Sequence, residues 1–419
     1  MIAAPATAQG APVSPQLQAR AGEMVAFLNG APVPDRYFSA GFLAEIPVAR
    51  VASLGEQLRA EHGAVESISI APDGASAGTV TLEYERATAT AHLVLEPAPP
   101  HRVTGLLISD VAVRGDSFAA LAEDFAALPG RAGFVVARVG EGGPTPIAAH
   151  NADTPLAIGS GFKLYVLAEA ARQVAAGERR WDEVIALGPA SRPSGVTQDW
   201  PAGSPLTLHS LAALMISISD NTATDTLMSV LGRNAIDRIV AIAGHADPAR
   251  AVPLLTTREA FALKAPANAD LRNLWTAADA EARRALLRDH AERLTPTAPS
   301  LAEMGGAPAA IDSVEWFASP ADLARALDWL RREGGETALA ILAINRGAAG
   351  EAVSRWRYLG FKGGSEIGVI SASYLIEDEA GAWFALSASW NDPAAALDEA
   401  RFRGLMMRAL RLVDAAPAP

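Results

Sequence analysis

The feature that most constrains the fold is a change of hydrophobic period near residue 65. Before it, residues 16–30 and 51–62 carry apolar side chains at helical spacing. After it, four segments alternate apolar and polar residues, as half-buried antiparallel strands do. They are residues 65–71, 78–86, 89–96 and 101–108. Residues 16–113 are therefore predicted to form a small α+β domain with helices packed on one face of a curved sheet.

The chain has 419 residues, which is too long for one ordinary hydrophobic core and predicts two domains. The second is expected over residues 114–415, beginning with a helix that Asp116 can cap. Strands are predicted at 133–140, near 146–149, at 367–378 and at 383–390, and a last helix at 394–413. Helices between early and late strands of one sheet give an α/β arrangement.

Composition excludes several classes of function. The net charge of −12 repels phosphate backbones and argues against nucleic acid as a partner. The chain has no cysteine, which excludes disulfides, thiolate metal sites and a cysteine nucleophile. The seven histidines are scattered without metal-ligand spacing, so neither a metal nor another cofactor is predicted. No stretch approaches 18 consecutive apolar residues, and no membrane span is expected.

The first 15 residues are rich in Ala and Pro, and Ala-Thr-Ala at 6–8 has the small side chains of a signal cleavage site. Residues 1–15 are interpreted as a signal remnant or, alternatively, as a plain disordered tail. The first interpretation predicts a periplasmic or secreted protein, while a cytoplasmic location stays open.

The first motif with chemical content is Ser160-Gly161-Phe162-Lys163, followed by an apolar helical stretch. The serine would lie at a helix start, where free N–H groups and the helix dipole stabilise negative charge. Lys163 lies three residues on and therefore on the same face. A buried lysine with a lowered pKa can activate a serine hydroxyl, which is a poor nucleophile by itself. Taken alone, the pattern also suits a capping serine beside a surface lysine.

Two further short motifs follow along the chain. Ser219-Asp220-Asn221 separates two apolar helical stretches, where it could form a loop directed at a site or simply cap a helix. Lys362-Gly363-Gly364-Ser365 precedes the strand near 367, where paired glycines let a substrate approach the backbone or merely form a turn.

The three motifs in this order resemble the signature of the active-site serine penicillin-recognising enzymes, the class A β-lactamase-like serine hydrolases. The stretch 198–228 around Ser-Asp-Asn is similar to the corresponding class A stretch, and the resemblance covers roughly 115–415. It implies a domain whose antiparallel sheet is flanked by helices. A small domain N-terminal to the β-lactamase-like domain is typical of a subset of this family. That subset includes the β-lactamase-like esterase of clavulanic acid gene clusters. By element order this domain resembles the nuclear-transport-factor/steroid-isomerase-like cone, which would serve a structural role or oligomer formation.

The resemblance implies a role for each matching residue. Ser160 would be acylated with Lys163 as general base, and Ser219 would shuttle a proton. Asn221 would orient Lys163 and the substrate, while Lys362 would bind a carboxylate. The backbone N–H groups of Ser160 and Ser365 would form an oxyanion hole, and Gly363 and Gly364 would contact the substrate. Apart from the resemblance, Trp200 and Trp316 could line a pocket near such a site or simply pack in the core or in loops.

The sequence departs from the family pattern at two points. Gly363 stands where the family has a threonine whose hydroxyl helps to bind a β-lactam carboxylate. The glutamate that activates water against the acyl-enzyme in class A β-lactamases has one weak counterpart, Glu259. Its context favours a helix start, with Thr256 or Thr257 as N-cap.

Three functions remain open at this stage. The leading hypothesis is an esterase that acts on small esters, including ester side chains of cephalosporins, with little β-lactamase activity. The alternatives are a true β-lactamase with an unrecognised base and a non-catalytic penicillin-binding or sensing protein. The expected partner is accordingly a small ester or a β-lactam.

Overall fold

The computed structural model describes residues 12–294, 306–348 and 354–414. The chain forms two compact units that divide after Asp116. Most of the N-terminal segment discussed above, residues 1–11, lies outside the described residues. Within the remainder of that segment, Ser14 already caps the first helix, which begins at Pro15.

The first unit consists of three helices and one four-stranded antiparallel sheet in the order β1-β2-β3-β4. The helices are α1 (Pro15–Leu28), α2 (Ala40–Glu45) and α3 (Val48–His62). The strands are β1 (Val65–Pro72), β2 (Ala77–Tyr84), β3 (Ala87–Leu95) and β4 (Val103–Val113). The predicted helices α1 and α3 and the four strands are confirmed. Sequence periodicity missed α2 because it is a short helix with no buried side chain.

Alternation along the strands explains why this sheet has one buried face. In β2 and β3, every second residue is buried, including Val80, Leu82, Ala89, Ala91 and Leu93. These side chains form one apolar core with the buried faces of α1 and α3. The period of two thus places one row of side chains inside and leaves the other row at least partly accessible.

The second unit is built around a five-stranded antiparallel sheet in the order β11-β12-β13-β5-β6. Its strands are β5 (Arg131–Gly140), β6 (Gly143–His150), β11 (Tyr358–Glu366), β12 (Val369–Glu377) and β13 (Trp383–Asn391). Two short ladders lie outside the sheet, formed by β7 (Leu156–Ala157) with β10 (Phe317–Ala318) and by β8 (Val184–Ala186) with β9 (Pro205–Thr207). The early and late strands share one sheet, as the sequence predicted.

Helices cover both faces of this sheet. They are α4 (Phe118–Ala126), α5 (Lys163–Ala175), α6 (Leu208–Ser217), α7 (Asn221–Leu231), α8 (Arg233–Ile242), α9 (Pro248–Ala251), α10 (Thr257–Lys264), α11 (Ala269–Ala277), α12 (Ala280–Asp289), α13 (Ala291–Leu294), α14 (Pro320–Glu333), α15 (Gly335–Leu342) and α16 (Glu399–Asp414). Helices α4 and α16 share one core with the sheet, and α5, α6, α7 and α14 share the larger core on the other face. Helix α5 is buried on nearly every side, so its position is fixed by packing all around it.

Two local predictions were wrong. The cap of α4 is Ser117 and not Asp116, because Ser117 has extended backbone geometry and its hydroxyl accepts the N–H of Ala120. The interpretation of the 362–365 motif as a turn in front of a strand was the second. This motif forms the second half of β11, and the turn follows at Gly368, which has a φ of +82°.

Among the described residues, no helix combines the length and the apolar character that crossing a membrane requires.

Candidate active site

Ser160 lies in a 3₁₀ turn, Gly159–Phe162, that leads directly into α5. The sequence predicted an α-helix start there, and the tighter turn has a geometric consequence. A 3₁₀ helix has three residues per turn, so the side chains of Ser160 and Lys163 follow one above the other. Gly159 has a φ of +48°, which glycine adopts without strain. The turn thus presents a partly exposed serine above a fully buried lysine.

Three oxygen atoms surround the amino group of Lys163. Its Nζ lies 2.7 Å from the Ser219 carbonyl oxygen, 3.0 Å from Ser219 Oγ and 2.7 Å from Asn221 Oδ1. Two of these oxygens can only accept hydrogen bonds. A neutral amine can donate its two N–H groups to the Ser219 carbonyl oxygen and to Asn221 Oδ1. Its lone pair can accept the hydroxyl hydrogen of Ser219, so the neutral form of Lys163 fits this environment.

The loop before α7 holds Ser219 in place by strained backbone geometry and a buried anchor. Ser219 has a φ of +59°, which is uncommon for a residue with a side chain. Asp220 caps α7 through the N–H of Ala223 and also accepts the N–H groups of Val196 and Thr197. The capping interpretation is therefore confirmed for Asp220. Its two neighbours, meanwhile, both contact Lys163.

Strand β11 brings the third motif to the same place. Lys362 Nζ donates to Ser219 Oγ at 3.1 Å and to the Gly363 carbonyl oxygen at 2.5 Å. Gly364 lies against the serine turn so closely that a β-carbon there would be 2.6 Å from the Ser160 nitrogen. Because β11 is an edge strand of the sheet, its outer side is free to face this turn.

Burial sets the charge state of both amines. The pKa of Lys163 is held well below its ordinary value, first by burial and second by the nearby charge of Lys362. Burial lowers the pKa of Lys362 to about 7. The lowered pKa favours the neutral form of Lys163, which can accept a proton, and that is what activating a serine hydroxyl requires.

The site opens into a cavity of about 280 Å³. Residues from all three motifs line it: Ser160, Ser219, Asn221, Gly363, Gly364 and Ser365. Trp316 also lines it, and its ring stacks on Phe162 with 4.2 Å between centroids. Trp200 is not among the lining residues, because it follows a 3₁₀ turn at the surface and is 44% exposed.

The space beside Gly363 is occupied by an aromatic ring. A β-carbon at Gly363 would lie 2.9 Å from Cζ of Phe361, and one at Gly347 would lie 2.5 Å from the same ring. The ring of Tyr374 packs against Phe361 with 4.8 Å between centroids. A threonine at position 363 would therefore require Phe361 to move.

Glu259 has a structural role, as its sequence context favoured. Its carboxylate accepts the N–H of Thr256, whose hydroxyl accepts the N–H of Glu259 in return, which forms a complete capping box at the start of α10. Arg233 holds the same carboxylate through both of its oxygens, at 2.6 and 2.8 Å. Glu259 is not among the cavity-lining residues.

Sequence reasoning missed a buried charged cluster at the edge of this cavity. Lys264 donates to Glu315 at 2.5 Å and to Glu366, and all three side chains are at most 10% exposed. Strand alternation could have indicated Glu366, which lies four residues after Lys362 and therefore on the same face of β11. No sequence signal connects Lys264 or Glu315 to it.

Within the described part of the chain, no group of three or more His, Asp or Glu side chains is arranged to hold a metal ion. His209 lies exposed on α6 beside Trp181, away from the groups above.

One family model matches part of the second unit. Residues 116–298 match the family model described as "Beta-lactamase enzyme family". A search of curated proteins found no match.

Solved structures that match the chain include a β-lactamase from Sphaerobacter thermophilus, with 25% identity over 72% of this chain and 97% of that chain and a TM-score of 0.48. A β-lactamase from Desulfarculus baarsii has 22% identity over 73% of this chain and 100% of that chain, with a TM-score of 0.49. The protein PBP-A has 15% identity over 71% and 96%, with a TM-score of 0.47.

Proposed function

We propose that this chain, whose residues 116–298 match the β-lactamase enzyme family, is an esterase that acts through an acyl-enzyme on Ser160. The observation that carries the proposal is the buried, partner-rich amine of Lys163 one turn from the serine. A neutral amine in that position is the base that the hydroxyl needs.

Acylation follows from the positions of these groups. Lys163 takes the hydroxyl proton of Ser160 while Oγ of Ser160 bonds to the carbonyl carbon of the ester. The backbone N–H groups of Ser160 and Ser365 stabilise the oxyanion that forms, since both flank the close contact between β11 and the serine turn. The C–O bond to the alcohol then breaks, and the alkoxide takes a proton from Ser219 Oγ. Lys163, 3.0 Å away, restores that proton and is neutral again.

Two features favour small esters over β-lactams. The aromatic ring of Phe361 fills the space where a hydroxyl on residue 363 would help to hold a carboxylate. The sequence counterpart of the family's water-activating glutamate, Glu259, is held by Arg233 and by its own helix cap. The site therefore lacks the hydroxyl with which the family binds a β-lactam carboxylate. It also lacks the free glutamate with which the family hydrolyses the acyl-enzyme.

Turnover of p-nitrophenyl acetate and nitrocefin by the same enzyme preparation tests the proposal. We expect the ester to be turned over faster and Ser160→Ala to reduce its turnover on the order of 10⁴-fold or more. His209→Ala is the control, since the exposed His209 contacts none of the site groups, and it should keep most of the activity. Nitrocefin turnover far above that of the ester would show a β-lactamase instead. A lasting penicillin adduct without ester turnover would show a binding protein.

A further inference from the structure

The buried cluster of Lys264, Glu315 and Glu366 joins three separate parts of the second unit. Lys264 ends α10, Glu315 precedes β10, and Glu366 ends β11. Their side chains are 1%, 0% and 10% exposed, respectively, so Glu366 is the most accessible. It is also the member of the cluster that lines the cavity with Ser160. Burying two carboxyl groups with one amine costs more free energy than burying apolar side chains of similar volume would. Stabilising the fold is therefore a poor explanation for this cluster.

Strand geometry places Glu366 close to the acylated serine. Gly364 contacts the backbone of the Ser160 turn, and Glu366 lies two residues farther along the same face of the same strand. Two residues of an extended strand span about 7 Å. Glu366 and Ser160 both line the cavity, which has room for a water molecule between them.

We propose that Glu366 is the base that activates the water that removes the acyl group from Ser160. This inference rests on the proposed esterase function, because an acyl-enzyme must form before it can be cleared. The Glu366 carboxylate takes one proton from water as the water oxygen bonds to the acyl carbon. When the bond from that carbon to Ser160 Oγ breaks, the proton passes from Glu366 to Oγ, so the free acid leaves and both residues return to their starting states.

The surroundings of Glu366 make its carboxylate a stronger base. Burial first, and then the charge of Glu315, raise its pKa well above the ordinary value, which Lys264 opposes. A carboxylate of low pKa would be a poor acceptor for a water proton, and raising its pKa strengthens it. The two charged groups that contact Glu366 are Lys264 from α10 and Glu315 from the segment before β10. The rate of deacylation should therefore rise with pH as Glu366 loses its proton.

The test is Glu366→Gln, which keeps the size of the side chain and its hydrogen bonds but cannot take a proton. With p-nitrophenyl acetate, we expect a burst of one p-nitrophenolate per enzyme at the wild-type rate. Steady turnover should then be slower by roughly 10²–10⁴-fold. Intact-mass spectrometry should show the acetyl-enzyme accumulating. Wild-type turnover in Glu366→Gln overturns the inference, and so does loss of the burst in a correctly folded variant.

Two matched variants separate a catalytic from a structural role. Glu259→Gln makes the same change in the carboxylate held by Arg233 and should leave deacylation unchanged. Glu315→Gln removes the charge that raises the pKa of Glu366, so the pH at which deacylation reaches half its maximum should move down. A pH profile that does not move in Glu315→Gln contradicts the inference. If the wild-type enzyme itself cleaves no ester and forms no adduct, the proposed function fails first.

Discussion

The two units of this chain each pack helices against an antiparallel sheet, but they differ in what they bury. Among the described residues of the first unit, Ser39 is the one buried polar or charged side chain apart from the tyrosines. The interior of the second unit also holds Lys163, Lys264, Glu315 and Lys362. Taking a charge out of water costs several kcal/mol unless it is paired or neutralised. The buried charged groups are thus concentrated in the second unit, where the candidate active site lies.

The second unit itself contains two kinds of buried lysine. Lys264 is paired with two carboxylates, which outweigh the effect of burial and raise its pKa. Lys163 and Lys362 form no ion pair within the described residues, and the pKa of each is lowered. Pairing thus favours the charged form of Lys264, whereas burial favours the neutral forms of Lys163 and Lys362. A lysine whose neutral form is favoured accepts a proton more readily.

The largest expected effect on ester turnover concerns Lys163. Lys163→Met replaces the amine with an apolar chain of similar length, and we expect kcat/KM for p-nitrophenyl acetate to fall roughly 10³-fold, because the base is lost. The measurement needs a parallel circular dichroism spectrum, since the Ser219 carbonyl and Asn221 lose a buried partner. A folded variant with more than a tenth of wild-type activity would show that Lys163 is not the base.

The first unit offers the opposite test. Leu82 is fully buried in β2, and Leu82→Ala should lower the free energy of unfolding of that unit by about 2–5 kcal/mol. Below the temperature at which the variant unfolds, kcat for the ester should stay within about twofold of wild type, because no group of the site changes. Denaturant unfolding and ester kinetics on the same sample check both parts. A large loss of kcat in the folded variant would break this contrast between the two units.

The comparison also shows which parts of such a protein are readable from its sequence. Strict alternation predicted β1 to β4 because one face of that sheet is buried and the other is accessible. The motifs around Ser160, Ser219 and Lys362 predicted a resemblance to a family because their order along the chain is distinctive. The structure brings these three segments together around the amine of Lys163.

What the sequence did not indicate depends on contacts between distant segments. Lys264 and Glu366 are 102 residues apart, and each has an ordinary local context on a helix or a strand. Trp200 looked like a pocket residue from its proximity to the Ser-Asp-Asn motif in sequence, but the structure leaves it at the surface. Conversely, the glycine at 363 looked like a simple loss of a hydroxyl. The ring of Phe361 shows that the space itself is filled.

The smallest expected effect is a dependence of kcat/KM on pH that Lys362 imposes. Burial lowers the pKa of Lys362 to about 7, so its ammonium form predominates below that pH and its neutral form above it. An ester that carries a carboxylate, such as 3-carboxyphenyl acetate, should lose up to roughly 50-fold in kcat/KM between pH 7 and pH 9, because the ammonium fraction falls by that factor. Phenyl acetate has no charge for Lys362 to bind and should not show this loss. Parallel profiles for the two esters would mean that Lys362 does not contact the carboxylate.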